Sequence, residues 1–488
     1  MSGADVHVLL IRPPSGNDRF GLGPFFQVEP LGLEYIAAAV RRVGGRPVIL
    51  DARFARGLRR VPGRPRAGVV GLSCMHAVEY ESTLALARAA RRAHPGAFIV
   101  AGGHAAAAYP GPLETPDIDA ICLDDGEVVF PRLVQTLGAG GDPAGVPGLR
   151  VRTGAGFIDT PAGGARAGLD PSLPPARDLV EQYRARYHCL LFRPVWLVET
   201  ARGCPYRCSF CSVWSLYDRT FRERPVDAVV DDMARAGDAI FIVDDLFWNH
   251  ATRSLDLAAA LRRRGIRKRW ILVQSRTDIV GRHPDLLAAW RPLARDFDIF
   301  LGLEAPTDAG LARLDKDTTT RATVEAAAVA RRLGYGVTGN FVIDPEWGED
   351  EFRDLWEFVA RHRLERAGYT ILTPLPGTPL FRDHARLRRD LPWSCYDMHH
   401  LLWEPRLGAR RFFELYAETW RRSILNLQGR KRWRDWARQV TPWQVPYLTR
   451  VLVRTQRMMR PEAYLAEHAP ALDGVRAAPL SARATPPP

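Results

Sequence analysis

Short apolar runs rich in β-branched residues alternate with helical spacing over the first 140 positions of the chain. Val6–Ile11, Pro47–Asp51, Gly68–Ser73, Phe98–Gly102 and Ile118–Leu123 read as strands, and Leu31–Val43 and Glu79–His94 as helices. Such alternation predicts a doubly wound parallel sheet. Ligands of that architecture bind outside the carboxyl ends of the strands, where the strand order reverses. The turns expected at that edge are Arg12-Pro13-Pro14-Ser15-Gly16, Ser73-Cys74-Met75-His76, Gly102-Gly103-His104 and Asp125-Gly126-Glu127. Glycine there lets the backbone approach a large flat ligand or a phosphate; each turn taken singly is equally well a tight strand-to-helix connection.

From Gly138 to Arg193 the chain is rich in Gly, Pro and Ala, with one strand at Gly148–Arg152, and reads as a linker or strap. A second alternating pattern starts at Val195. Strands are expected at Val195–Thr200, Ala239–Asp244, Trp270–Ser275, Asp298–Leu303, Gly336–Ile343 and Gly368–Leu372, with helices between them. Six such units make an incomplete parallel barrel, whose chemistry gathers at the carboxyl ends of its strands. Beyond Trp393 the pattern turns helical and amphipathic, through Arg411–Tyr416, Trp420–Leu425, Trp433–Trp436 and Tyr447–Met459, and an Ala/Pro-rich tail follows that reads as disordered. The expected units are therefore 1–140, a linker at 141–193, a barrel at 194–392, a helical region at 393–470 and a tail at 471–488.

Composition changes this picture in two respects. With 488 residues, 46% of them hydrophobic, the chain has an ordinary globular core. Seven cysteines, three in one tight loop, suit a reducing compartment, and Met1–Asp5 shows no basic region before an apolar run, so the expected location is the cytoplasm. The net charge is +13, and fourteen Lys/Arg against three Asp/Glu between Arg406 and Arg460 account for eleven of it. Arginines interleaved with aromatics at helical spacing suit a helix lying at an anionic membrane surface. They equally suit a cap packed on the barrel; nucleic acid ranks third, since no recognised module accompanies them.

The chemical centre is Gly203-Cys204-Pro205-Tyr206-Arg207-Cys208-Ser209-Phe210-Cys211, spaced C-x-x-x-C-x-x-C directly after the barrel's first strand. Three thiolates reach three irons of a cubane cluster and leave the fourth iron open to a chelating small molecule. A zinc site would want a fourth Cys or His, for which His188 and Cys189 are the nearest candidates; a disulfide is the weakest reading. Other strand ends carry Asp244-Asp245, Gln274-Ser275-Arg276-Thr277-Asp278 and Glu304. Asp and Ser favour helix caps, but strand ends of a barrel converge on one site.

The cysteine spacing, with Phe210 before the last cysteine, resembles the radical S-adenosylmethionine (SAM) superfamily. The N-terminal turns, with Pro30-Leu31-Gly32-Leu33, resemble the cobalamin-binding domain that precedes many such proteins. The resemblance implies a Rossmann-like cobalamin-binding domain, a partial (β/α)6 TIM-type radical SAM barrel and a C-terminal α-helical extension. Its cofactors would be a 4Fe-4S cluster on Cys204, Cys208 and Cys211, SAM, and cobalamin. By residue-wise resemblance Asp244 and Asp245 meet the SAM amine, Ser275 and Arg276 its ribose and carboxylate, Glu304 a further SAM group, and the Phe210 backbone lies near adenine. Ser73, Gly102, Gly103, His104, Gly126 and Glu127 would line the cobalamin edge. The D-x-H-x-x-G signature that places a histidine on cobalt is absent; His7 in Asp5-Val6-His7 reads as a strand residue.

The run from Val195 to Tyr464 resembles one group in particular, the hopanoid C-3 methylases, through Glu199–Tyr217, Asp244–Trp248, Trp270–Asp278, Gly336–Asp344, Tyr369–Thr378 and Tyr396–Arg406. It implies methylation of an unactivated carbon, ring-A C-3 of a hopanoid lipid. One SAM would yield a 5′-deoxyadenosyl radical, and methylcobalamin would give the methyl group. A flavodoxin or ferredoxin would donate electrons, and the basic C-terminus would touch the inner membrane face. A methylase of a soluble natural product, a cyclase-like enzyme, and a non-enzymatic cluster- or cobalamin-binding regulator are the competing readings.

Overall fold

In a computed structural model of the chain, the described residues are 6–14, 20, 23, 26–55, 67–163, 169–170, 172–189, 191–364, 367–424 and 445–476. The N-terminal strands β1 (His7–Arg12), β2 (Arg46–Asp51), β3 (Val69–Ser73), β4 (Phe98–Gly102) and β5 (Ala120–Cys122) form a parallel sheet in the order β2-β1-β3-β4-β5. All five residues of β3 are buried, as a strand covered on both faces requires. Helices α1 (Leu31–Arg42) and α4 (Gly126–Gly138) cover one face through Leu33, Ala37, Val40, Val129, Phe130 and Leu133. Helices α2 (Tyr80–Ala93) and α3 (His104–Ala108) cover the other through Tyr80, Ala87, Ala90, Ala105 and Ala106. The strand order reverses between β1 and β3, so the crevice at their carboxyl ends is the switch point. His7 opens β1 as a strand residue.

The stretch read as a linker does more than connect. Strands β6 (Leu149–Thr153) and β7 (Gly156–Asp159) extend the N-terminal sheet to seven strands as an antiparallel hairpin. His188–Cys189 pairs back onto Phe26–Gln27. Composition hides this, because Gly and Pro mark the turns around a hairpin as well as a linker.

The second unit is a parallel sheet of six strands in chain order: β8 (Trp196–Val198), β9 (Ala239–Ile242), β10 (Lys268–Arg276), β11 (Ala294–Glu304), β12 (Gly336–Ile343) and β13 (Ala367–Ile371). The first strand stops at Val198, short of the expected Thr200. There the chain leaves the barrel, and Ala201–Gly203 pairs antiparallel with Phe221–Glu223, closing the cysteine loop with a two-stranded ribbon. Expected strand ends elsewhere shift by a few residues; β10 and β11 start earlier because Lys268 and Ala294 already pair.

After β13 the chain returns to the N-terminal unit. Leu372, Phe381, Leu387, Leu391, Cys395, Tyr396, Leu402 and Trp403 join the core of the α2 face, with Trp393 4.8 Å from the Tyr80 ring. Both units are thereby tied into one body. Helices α5 (Ala409–Ile424), α6 (Val445–Met458) and α7 (Pro461–Arg476) follow. Phe412, Phe413, Tyr416 and Trp420 pack on the barrel core with Met458 and Tyr464, and the Tyr416 hydroxyl donates to the Tyr369 carbonyl at 2.8 Å. The aromatic face of α5 is thus a cap, and three of its arginines pair within the protein, Arg411 with Glu349 and Arg421 and Arg422 with Glu418. Helix α7 runs past Ala471, the expected start of the tail; residues 477–488 and Trp433–Trp436 lie outside the described residues.

Candidate active site

The cysteine loop is built on Gly203. Its φ is +94°, and a Cβ there would stand 2.2 Å from the Thr220 carbonyl oxygen. Its amide donates to Asp245 Oδ2 at 2.9 Å. Trp214 Nε1 donates to the Cys208 carbonyl at 2.9 Å, and the Ser209 amide to the Leu314 carbonyl at 3.1 Å, so the loop is held by backbone contacts. Burial pushes all three thiols up, Cys211 to about 12, so a metal bound there would displace protons.

Arg276 crosses behind Cys208. Its guanidinium lies 3.6 Å from the Tyr206 ring centre, its Nη1 3.8 Å from Cys208 Sγ, and it donates to Asp278 at 2.9 Å and to the Lys316 carbonyl at 2.5 Å. Lys316, which nothing in the sequence pattern marks, donates to Glu304 Oε1 at 2.8 Å, and both side chains are buried. Glu304 sits at φ +59° beside a register shift at the end of β11. Removing one partner of a buried ion pair costs about 3–5 kcal/mol, because the other charge is left alone. Glu304→Gln is therefore expected to lower unfolding free energy by that amount in urea titration, and the double variant E304L/K316M to regain most of it.

The two aspartates after β9 part company. Both carboxylate oxygens of Asp244 are taken by Thr200, from its amide at 2.6 Å and its hydroxyl at 2.5 Å, and burial pushes its pKa up to about 7. Asp245 lines the open cavity, with burial pushing it up to about 6. Ser275 donates to the Phe247 carbonyl at 2.9 Å and is buried. Phe210 packs against the α2-face core. Of the residues assigned to SAM, Asp245 alone lines the cavity; Asp244, Ser275, Arg276 and Glu304 do not, and each is engaged by a protein partner.

That cavity, of about 550 Å³, lies between the two units. It is walled on one side by Ser73, Gly102, Gly103, His104, Gly126 and Glu127 and on the other by Leu197, Ala201, Arg202, Tyr217 and Asp245. The sequence-marked turns of the first sheet and the mouth of the second unit therefore face one another. Two bonds tie them. His104 Nε2 lies 2.7 Å from Ser212 Oγ, just past the last cysteine. Arg202, just before the first, contacts Glu127 at 2.6 Å, Asp125 at 3.0 Å and Glu199 at 2.9 Å, while Arg222 also grips Asp125. Burial and the neighbouring His76 lower the His104 pKa to about 4, keeping the ring neutral. Sequence reasoning does not find Arg202, because a lone arginine beside a cysteine has no periodic signature.

These residues suit the groups the motif implies. Three cysteines on one loop are the donor set of a cluster with an open iron. The nearest candidates for the fourth donor that zinc would want, His188 and Cys189, are paired with Phe26–Gln27. The cavity wall at Gly32, where a Cβ would meet nothing within 4 Å, leaves room for a large flat ligand.

Comparison with known proteins agrees. The B12 binding domain model matches residues 24–134 and the Radical SAM superfamily model residues 198–359. The chain is 31% identical over 402 residues to the hopanoid C-3 methylase of Methylococcus capsulatus, covering 81% of this chain and 76% of that protein. The fold is similar to that of the cobalamin-dependent SAM radical enzyme OxsB, solved with aqua-cobalamin and SAM, with a TM-score of 0.67 at 14% identity over 96% of this chain and 75% of that one. It is also similar to that of the radical SAM methyltransferase TsrM from Kitasatospora setae, solved with tryptophan and a SAM analogue, with a TM-score of 0.62 at 19% identity over 77% and 75%.

Proposed function

The chain belongs to the cobalamin-binding radical SAM family, and from that premise we propose that it methylates ring-A C-3 of a hopanoid lipid. It is a cobalamin-dependent radical SAM methyltransferase whose cofactors are cobalamin, a 4Fe-4S cluster and SAM. When bound, these groups supply a radical source and a methyl carrier, which a carbon without an acidic proton requires. The chain's own residues hold and aim them. Cys204, Cys208 and Cys211 hold the iron, and Arg276, stacked on Tyr206, offsets thiolate charge at Cys208. Asp245 stands at the cavity wall where a cationic amine would meet a carboxylate. Asp244 acts as a positioning residue through Thr200, and Glu304 through Lys316. Ser73, Gly102, Gly103, His104, Gly126 and Glu127 frame the cobalamin side.

The observation that carries the hopanoid reading is the identity of 31% across 81% of this chain to a hopanoid C-3 methylase. A triterpenoid must be drawn from a bilayer. Among the described residues no helix is long and apolar enough to cross one, but α6 exposes Val445 and Val453 on the same helix as the exposed Arg450, suiting shallow contact with an anionic surface. The reading places the protein in the cytoplasm at the inner membrane face, with a flavodoxin- or ferredoxin-type reductant. Expression in a bacterium that makes only unmethylated hopanoids, followed by lipid mass spectrometry, is expected to yield a ring-A methylated product. Its absence, with protein and all cofactors present, sinks the hopanoid assignment.

A further inference from the structure

The cavity wall beneath the switch point presents two side chains that the proposed function leaves unused. The turn after β3 runs Ser73-Cys74-Met75-His76, and its residues take different places. Cys74 is fully buried in the α2-face core. Met75 and His76 are both exposed and both line the cavity. The turn is braced from below. Glu79, itself buried, accepts from the Met75 amide at 2.7 Å and pairs with Arg12 at 2.7 Å. From the side it is braced by the next turn, since the Cys74 amide donates to the Gly102 carbonyl at 2.7 Å, and a Cβ on Gly103 would meet the Cys74 carbonyl at 2.8 Å and Met75 Sδ at 3.0 Å.

Two histidines line this cavity, and only one is free for a new bond. The His104 ring is engaged by Ser212 at 2.7 Å. The His76 ring has no hydrogen-bond partner among the described residues, although it stands on a braced turn at the carboxyl edge of the sheet, where ligands of this fold lie. An unengaged imidazole facing a ligand cavity is a nitrogen donor suited to a first-row transition metal. Cobalamin's own lower ligand is a benzimidazole nitrogen, so an imidazole replaces it in kind. Met75 offers only a thioether, a soft and weak donor.

We infer that His76 is the lower axial ligand of cobalt in the bound cobalamin, supplied from the turn after the third strand in place of the histidine that the absent D-x-H-x-x-G signature would provide. The inference rests on cobalamin being bound in this cavity, so bound cobalamin is quantified first. The test uses the full-length holoprotein carrying 15N-labelled histidine and natural-abundance cobalamin, reduced to cobalt(II) and examined by electron paramagnetic resonance. Nitrogen-15 has spin one half and nitrogen-14 spin one. Ligation by a protein histidine splits the high-field cobalt lines into doublets, whereas the cofactor's own base splits them into triplets.

The expected result is doublets in the wild type, and their loss in His76→Ala with cobalamin still bound. Triplets, or lines without nitrogen splitting, overturn the inference while leaving cobalamin binding intact. Doublets that persist in His76→Ala assign the ligand to another histidine and overturn it as well. No bound cobalamin at all removes both the inference and the cofactor assignment beneath it. The wild-type spectrum can overturn the inference on its own, and His76→Gln, closer in size, makes the assignment to His76 if the alanine variant does not fold.

Discussion

Cys208→Ala is expected to leave a folded protein that no longer assembles its cluster and no longer converts SAM to 5′-deoxyadenosine. The contacts that shape the loop around Cys208 come from its backbone, not its sulfur: Trp214 reaches its carbonyl and the Ser209 amide reaches Leu314. Arg276 loses one weak sulfur contact but keeps Tyr206, Asp278 and the Lys316 carbonyl. Stability should therefore stay within about 1–2 kcal/mol of wild type, the range of ordinary point substitutions. Iron retention after anaerobic reconstitution should fall by more than the roughly 10–100-fold that removing a supporting residue costs, because a ligand itself is gone. Cys204→Ala and Cys211→Ala should behave alike. Full iron content together with undiminished 5′-deoxyadenosine in any of the three would remove that cysteine from the donor set.

Gly203→Ala is expected to produce a comparable loss without touching a ligand. At φ +94° any L-residue is strained, and the new Cβ would sit 2.2 Å from the Thr220 carbonyl. The backbone oxygen of Thr220, just before the opposite ribbon strand, cannot rotate away, so Ala201–Gly203 must part from Phe221–Glu223 or the loop must shift. Either movement breaks the 2.9 Å bond to Asp245 and displaces Cys204. Gly265 is the matched control, with φ +66° and open space within 4 Å of where a Cβ would stand. Gly265→Ala should show only backbone strain, about 1–2 kcal/mol, and normal iron content. Gly203→Ala should add an overpacking cost of about 1–3 kcal/mol and lose cluster occupancy by at least about tenfold. Equal iron retention by both variants would show that the loop is not held through this ribbon.

Much of the site is legible in the sequence because its signals are local. The three cysteines, the Gly102-Gly103-His104 turn and the Asp244-Asp245 pair each declare themselves within a few residues of a strand end. The separation of Asp244 from Asp245 is not legible, since which carboxylate turns inward depends on Thr200, 44 positions earlier. Lys316 is invisible for the same reason: it lies 12 residues beyond Glu304, and only the bend of the chain after β11 brings it back. The hairpin β6–β7 is hidden by its Gly/Pro-rich surroundings, and the C-terminal aromatics give equal support to a cap and to a membrane face until α5 is seen packed on the barrel.

By itself the sequence determined the element order, the two α/β units and the place of the cysteine loop, since periodicity and spacing are properties of neighbouring residues. The tertiary structure decided how those units face each other. The cavity between them is framed where Arg202 meets Asp125 and Glu127, His104 meets Ser212, and the segment from Leu372 to Trp403 packs back onto the first sheet. Those contacts join residues tens to hundreds of positions apart, and their partners are chosen by packing and charge in space, which no local pattern encodes.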